Sequence, residues 1–465
     1  MVTRRDAIKT LGGLAGAAGL ARLLPGCGGN GKNGITNYVF MMLENRTYDH
    51  YFGARSLVEG LPGDGLTAAM MNPDTNGVAV APYVPAMGPE ECVKDPDHSW
   101  DGSRLQWNNG ANDGFVKQQE AAYGLGSHEP MQYYTRDLLP ISWALADAYT
   151  TCDRWFASVL GPTWPNRFYW MCGTSGGLMD NELPGSSGSV TFPTIFNSLH
   201  DANIDWAYYY GSIPVVSALD SPGQYQIDVT NNVKNFTHFM NDAMTGNLPT
   251  ITYIDPAFYQ NDDHPPIHPI NGQALISTVY TALAKSPQWK NTLLVITYDE
   301  HGGFFDHVSP GMTTDDMPAF MQRGFRVPAM VIGPYVKQGY VSSVELEHTS
   351  ALHHIEETFD LPPLNSRTAA QNDLSDCIDM DRLAKGDWAP PIELPDVDPD
   401  SWQMGPTCMY TGSARTEPEH VDPITAWANK YPERIKGLDL RPQLPQYEKA
   451  IKDFMRANRG KVPVR

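Results

Sequence analysis

The stretch NYVFMMLENRTYDHYFG, residues 37–53, decides the fold. Its first part, Tyr38-Val39-Phe40-Met41-Met42-Leu43, is an apolar run with the length and β-branched, aromatic character of a strand buried on both faces. The run stops at Glu44, Asn45 and Arg46, all polar. Open α/β sheets carry their ligand-handling groups at the carboxyl ends of the strands. Glu44 supplies an anionic oxygen there and Asn45 a neutral carbonyl oxygen, a pair suited to a hard divalent cation. Read alone, the same two residues would serve equally well as caps of a following helix.

The pattern recurs further along. Residues 291–297, NTLLVIT, are the clearest buried strand and run through Tyr298 into Asp299-Glu300-His301-Gly302-Gly303. Two such ends on one parallel sheet would bring three carboxylates and one amide toward one ion, and the two glycines let the backbone turn close to a ligand. Residues 204–210, 250–254 and 327–332 predict further strands, the second stopping at Asp255-Pro256. Residues 273–285 predict an amphipathic helix with Ala274, Leu275, Val279, Ala282 and Leu283 on one side. Helices alternating with apolar strands predict an α/β fold, a mainly parallel central sheet sandwiched by helices. Residues 54–130, rich in Gly, Pro, Asn and Asp, predict long ordered loops, and residues 131–148 a helix broken at 137–140. Residues 361–422 read as an irregular excursion and 423–465 as a helical C-terminus, both packing back on a single catalytic domain spanning 34–465.

Between the two acidic strand ends lies Gly161-Pro162-Thr163-Trp164-Pro165-Asn166-Arg167. Thr163 stands at what reads as a strand-to-helix junction. A hydroxyl there meets the positive end of a helix dipole and unpaired N–H groups, which suit an attacked phosphate. A nearby metal would lower its pKa and make it a nucleophile; in isolation, Thr163 reads equally as a helix N-cap. Asn166 and Arg167 could hold phosphoryl oxygens or brace the carboxylates. His98, in DPDHSW, and His264, in DDHPP, lie in polar loops where a histidine can protonate a leaving group, with His268 as a near neighbour of the second. His348 reads as structural.

The N-terminus carries a paired-arginine segment, Arg4-Arg5, before a Gly/Ala-rich run too short to span a bilayer. Residues 1–27 therefore read as a twin-arginine export signal, handled by the twin-arginine translocase, and end in a lipobox-like Leu24-Pro25-Gly26-Cys27. The expected location is periplasmic, secreted or lipid-anchored through Cys27. The chain of 465 residues has a net charge of −20; the signal holds four basic residues and one acidic, +3, so the rest carries −23. Such a surface excludes nucleic acid as a partner and gives no pull toward anionic lipid. Beyond Cys27 stand Cys92, Cys152, Cys172, Cys377 and Cys408, in no zinc-site spacing, and a Cys377–Cys408 staple is compatible with export.

Taken together, ENRTYDHYFG, GPTWPNR, NDDHPP, YDEHGGFFDHV and EHTSALHHIE resemble, in that order, the phosphoesterase family of bacterial and fungal phospholipases C and AcpA-type acid phosphatases, part of the alkaline phosphatase superfamily. The resemblance covers roughly residues 35 to 360. It implies an alkaline-phosphatase-like fold and a metal-dependent phosphoesterase with Thr163 as nucleophile. It implies Glu44, Asn45, Asp299, Glu300 and the Thr163 oxygen as ligands of one divalent ion, and His98 and His264 as phosphate-binding groups that assist the leaving group. Oxygen ligands point to Ca, Mg or Mn, while superfamily relatives use Zn or Fe. The expected substrate is a phospholipid or other phosphodiester, with an acid phosphatase acting on small monoesters as the alternative. His301 departs from the Asn of many relatives. Specificity is expected from residues 54–130 and 211–248, and from Trp100, Trp164 or Tyr208 around a choline headgroup. Two other classes fit less. Gly173-Thr174-Ser175-Gly176-Gly177 matches the serine-hydrolase elbow, which needs a strand before it. A non-enzymatic metal- or ligand-binding lipoprotein would leave the hydroxyl, carboxylates and histidines unexplained together.

Overall fold

The computed structural model describes residues 34–86, 94–183, 187–220, 231–398, 423–438 and 444–459. The export segment with Cys27, Cys92, Cys408 and part of the 361–422 excursion lie outside the described residues. The strands of the main sheet, in chain order, are β1 (Asn37–Leu43), β2 (Thr150–Cys152), β3 (Trp206–Tyr210), β4 (Val233–Asn235), β5 (Ile251–Asp255), β6 (Thr292–Tyr298), β7 (Ala329–Ile332) and β8 (Tyr340–Ser342). Their spatial order is β8-β2-β7-β6-β1-β5-β3-β4. From β6 through β4 every pairing is parallel; β7 alone runs against its neighbours. The central strands are apolar because helices cover both faces: every residue of β1, β5 and β6 is buried. The chain therefore has the large, mainly parallel sheet between helices that its sequence predicts.

The helices used below are α1 (Tyr48–Leu57), α2 (Trp100–Trp107), α3 (Phe115–Tyr123), α4 (Pro140–Ala148), α5 (Thr163–Cys172), α6 (Phe236–Thr245), α7 (Pro269–Ala284), α8 (His348–Thr358), α9 (Pro423–Lys430) and α10 (Leu444–Asn458). Three expectations are corrected. The helix expected over 131–148 exists only as α4: Pro140 stands in its first turn, where the missing N–H is harmless, and the preceding residues instead bond outward, Tyr133 N to Tyr83 O and Tyr134 N to His50 O. The segment 54–130 is not loop throughout. It contains α2, capped by the Ser99 side chain, and α3, whose Phe115 and Val116 join Leu66, Met131, Leu160, Phe305 and Phe325 in a small core of their own. The helix expected to be amphipathic, α7, is buried at 14 of its 16 residues, since α4, α6 and the C-terminal α10 pack around it.

The partner expected for Cys377, Cys408, lies outside the described residues. The Cys377 thiol lies 3.9 Å from that of Cys152, both buried. The GTSGG segment follows a helix, not a strand: Gly173 closes α5 in a left-handed conformation and Ser175 bonds the Leu178 carbonyl. The serine-hydrolase reading is thereby removed.

Candidate active site

Strand β1 pairs with β6 so that Leu43 stands opposite Tyr298. The next residue of each chain, Glu44 and Asp299, thus emerges at the same edge, and β5 on the other side of β1 ends in Asp255. Three acidic side chains at three adjacent strand ends need a cation among them. Arg167, fully buried on α5, supplies it, with Nε 3.2 Å from Glu44 Oε1 and 3.6 Å from Asp299 Oδ2, and Nη1 3.2 Å from Asp255 Oδ1. Its Nη2 also donates to the Leu43 carbonyl at 3.2 Å. Burial alone would lower the Arg167 pKa, but Glu44, Asp299 and Asp255 outweigh it and raise it. Of the two roles its sequence position allowed, Arg167 braces the carboxylates.

Thr163 is the first residue of α5, after Pro162 in the capping position, and its side chain makes no capping bond. Its Oγ1 is buried and has no hydrogen bond. Thr163 and Arg167 stand one turn apart on the same face of α5. Asn166 does neither of the things expected of it. Its amide is saturated by backbone, accepting from Val159 N and donating to the carbonyls of Val159, Gly161 and Pro162 at 3.0–3.2 Å. Asn166 therefore pins the loop that delivers Thr163.

Asn45 adopts a left-handed backbone, φ 62°. Its N–H donates to Asp299 Oδ1 at 3.1 Å, while its own Oδ1 is buried without a hydrogen bond. Close packing behind it requires glycine: a Cβ on Gly302 would lie 2.3 Å from the Asn45 carbonyl oxygen. Asp299 also accepts from Glu300 N at 2.8 Å, and its Oδ2 has no hydrogen bond. Burial pushes its pKa up to about 7 against the lowering pull of Arg167. His348, at the head of α8, donates from Nε2 to the Asp299 carbonyl at 2.6 Å, while its Nδ1 accepts from the Trp155 indole at 3.3 Å.

Glu300, expected as a ligand beside Asp299, is buried between two histidines. Its Oε1 lies 2.5 Å from His98 Nδ1, and its Oε2 accepts from Gly302 N at 2.7 Å and faces His301 Nδ1 at 3.0 Å. Oε1, though close to His98, is buried without a hydrogen bond, and His301 Nε2 meets Gln106 Oε1 at 2.7 Å. Burial would raise the Glu300 pKa, but the charge of His98 and the bonds from both histidines bring it down to about 2. Burial would likewise lower that of His98, yet Glu300 and Asp95 raise it well above the ordinary histidine value. The other edge of the His98 ring faces Asn45 Nδ2 at 3.4 Å and Asp95 Oδ1 at 3.6 Å.

His264 joins His98, with ring centroids 5.6 Å apart. Its Nδ1 donates to the Pro265 carbonyl at 2.6 Å, which turns Nε2 to the other side of the ring. The loop is fastened from both sides: Glu44 N donates to the Asp262 carbonyl at 2.8 Å, and Arg46 Nη2 to the Asp263 carbonyl. Asp263, at φ 74°, takes the hydroxyls of Tyr51 (2.5 Å) and Tyr298 (2.7 Å) on one oxygen. His268, the near neighbour of His264, caps α7, its Nδ1 accepting from Ile270 N at 3.1 Å. Asp255, Asp263 and Arg46 were not assigned from the sequence, although the polar stop after residues 250–254 was the visible signal of the first.

The donor set fits a divalent cation. Asn45 Oδ1, Thr163 Oγ1, Asp299 Oδ2 and Glu300 Oε1 are buried oxygens without hydrogen bonds, and the buried Glu44 shares Arg167 with Asp299. Among the described residues, two groupings of histidines and acids bring three potential ligand atoms within 4.8 Å: Asp95, His98 and His264, inside this site, and Asp49, Asp306 and His307, away from it. The second already holds a cation, since Arg326 lies 3.1 Å from Asp49 and 2.9 Å from Asp306.

The three aromatics considered for a headgroup are otherwise engaged. The Arg104 guanidinium lies 3.3 Å over the Trp100 ring, Trp164 is fully buried, and the Tyr208 hydroxyl bonds Asp255 at 2.5 Å. Among the described residues no helix is long and apolar enough to cross a membrane.

A family model described as the phosphoesterase family matches residues 35–362. Non-specific phospholipase C6 of Arabidopsis thaliana is 32% identical over 399 residues, covering 78% of this chain and 76% of its own. Phospholipase C B of Mycobacterium tuberculosis (strain ATCC 25618 / H37Rv) is 33% identical over 390 residues, covering 71% and 74%. Among solved structures, a protein in the alkaline phosphatase superfamily from Vibrio parahaemolyticus superposes with a TM-score of 0.33 at 14% identity, over 51% of this chain and 64% of that one, a likeness too loose to carry an argument.

Proposed function

The chain belongs to the phosphoesterase family and is a phosphoric ester hydrolase, and from that premise we propose that it cleaves phospholipid or related phosphodiesters as a phospholipase C does, through a covalent ester on Thr163. The observation that carries this reading is the buried hydroxyl of Thr163, free of any hydrogen bond at the first residue of α5, on the same helix as the arginine that gathers the strand-end carboxylates. A buried hydroxyl left without a partner is costly unless it has a task.

Glu44, Asn45, Asp299 and Thr163 would hold the divalent ion, which when bound lowers the hydroxyl's pKa and offsets charge on the phosphoryl oxygens. Thr163 Oγ1 attacks phosphorus, its proton passes to an acceptor such as His264 Nε2, and the bond to the glycerol oxygen breaks. His98, kept cationic by Glu300, gives that oxygen its proton. Water then releases the phosphorylated headgroup from Thr163, with the histidines exchanging roles. Glu300 acts here as the carboxylate that orients and charges His98, the role a buried acid has toward a catalytic histidine elsewhere. Arg167, Asn166 and His348 hold the framework and do not touch substrate. Export by the twin-arginine route, with Cys27 as a lipid anchor, accords with the Arg4-Arg5 segment.

The test is hydrolysis of p-nitrophenyl phosphorylcholine against p-nitrophenyl phosphate by wild type, Thr163→Ser and Thr163→Ala, before and after chelation. The expected result is preference for the diester, retained in part by the serine variant, and lost with alanine and on chelation. Preference for the monoester would make the protein an acid phosphatase. Full activity of Thr163→Ala on either would end the nucleophile assignment.

A further inference from the structure

Cys152 and Cys377, 225 residues apart in sequence, bring their sulfurs within 3.9 Å, and both side chains are fully buried. Their meeting is built by the fold. Cys152 is the last residue of β2 and pairs in register with Ser342 of β8. Cys377 ends the short turn Leu374–Cys377, whose Asp376 is fastened to the same strand: its carboxylate accepts from Ser342 Oγ at 2.7 Å and from Tyr340 OH at 3.2 Å. Lys337 N donates to the Cys377 carbonyl at 2.9 Å, and Ile378 bridges to Val336. Two segments anchored on one edge strand thus hold the two thiols face to face. A disulfide needs the sulfurs to close by about 1.9 Å, within the reach of side-chain rotation where the backbones are already adjacent.

We propose that Cys152 and Cys377 are a redox pair that closes to a disulfide, with a small-molecule or protein disulfide as the oxidant. One thiol loses its proton and attacks the oxidant's S–S bond, releasing one oxidant thiol. The second, likewise deprotonated, attacks the mixed disulfide and releases the other. Two electrons pass to the oxidant and two protons leave. Neither sulfur is open to solvent, so exchange takes place while this sheet edge is open, and the bond, once packed, is shielded from reductant. The link bears on the active site by a short path. Trp155, three residues after Cys152, donates to His348, and His348 holds the Asp299 carbonyl. Fixing Cys152 fixes the strand behind that brace. The inference stands independently of the Thr163 assignment.

The test incubates the full chain with oxidised glutathione across a urea series, returns it to buffer, quenches in acid and blocks remaining thiols with N-ethylmaleimide under denaturing conditions. Peptide mapping should find a Cys152–Cys377 link, lighter by two hydrogens than the reduced pair, in the chains that regain activity. Its yield should rise at urea concentrations below global unfolding. Oxidised wild type should also outlast Cys152→Ser and Cys377→Ser several-fold in thermal inactivation. Chains that regain activity with both cysteines alkylated, or with Cys377 linked to another cysteine, overturn the proposal; the wild-type map decides this even if a serine variant fails to fold.

Discussion

Glu300→Gln separates two roles that the sequence could not tell apart. In the structure Glu300 Oε1 lies 2.5 Å from His98 Nδ1, with the Glu300 side chain fully buried and that of His98 only 13% exposed. At that separation, with an effective dielectric constant near 20, the attraction is on the order of several kcal/mol before desolvation is counted. Opposite charges this close typically move a pKa by about 1–3 units. Glutamine keeps the shape and one acceptor but removes the charge, so the burial that now opposes protonation of His98 gains the upper hand. His98 works in its cationic form. The alkaline limb of the kcat/KM profile on p-nitrophenyl phosphorylcholine should therefore move to lower pH by about 1–3 units. Metal content of the purified variant, measured by inductively coupled plasma mass spectrometry, should stay at the wild-type level. An unmoved profile combined with lost metal would refute the orienting role and make Glu300 a metal ligand.

Three further outcomes follow from the same geometry. Asp299 holds its proton to about 7 in the metal-free fold against 3.8 as a free side chain, so between those pH values the folded state binds the extra proton and stability falls as pH rises, by at most about 1.4 kcal/mol per unit. Urea midpoints of chelated enzyme should drop from pH 5 to pH 7, and those of metal-loaded enzyme should not. Arg167→Met strands Glu44, Asp255 and Asp299 without their cation and should cost about 3–5 kcal/mol; a calorimetric loss below about 1 kcal/mol would show that the guanidinium is not the brace. Asp263→Ala frees the His264 loop from Tyr51 and Tyr298 and should lower kcat by about 10²-fold with far less change in KM, whereas Asp263→Asn, which keeps an acceptor, should recover most of it.

The sheet was legible because its strands are long, wholly apolar runs, and both acidic strand ends could be located by where those runs stop. The short helices α2 and α3 were hidden in a Gly- and Asn-rich segment: each buries only a few side chains, in a separate small core that no local periodicity announces. The length of α4 was misread because Pro140 was taken as a break within a helix when it begins one. Within the site, residue types and order were legible but partners were not. Asn166 and Arg167 are adjacent in sequence yet face opposite tasks, one tied to its own loop and the other reaching three strands. Glu300 and Asp299 are likewise neighbours, but in the bend after β6 one turns toward the histidines and the other toward Asn45 and Arg167. The meeting of Cys152 with Cys377 depends on the register of an edge strand, which spacing in sequence does not encode.

The central claim is that phosphorus passes through Thr163. Wild type mixed with p-nitrophenyl phosphorylcholine, quenched in acid during turnover and digested for mass spectrometry, should yield the peptide containing Thr163 carrying a phosphorylcholine ester, in an amount matching the initial burst of p-nitrophenol. Thr163→Ala should give neither burst nor adduct. A burst with the label on another residue, or steady turnover that never labels Thr163 in the wild type or the slower Thr163→Ser enzyme, would contradict the account.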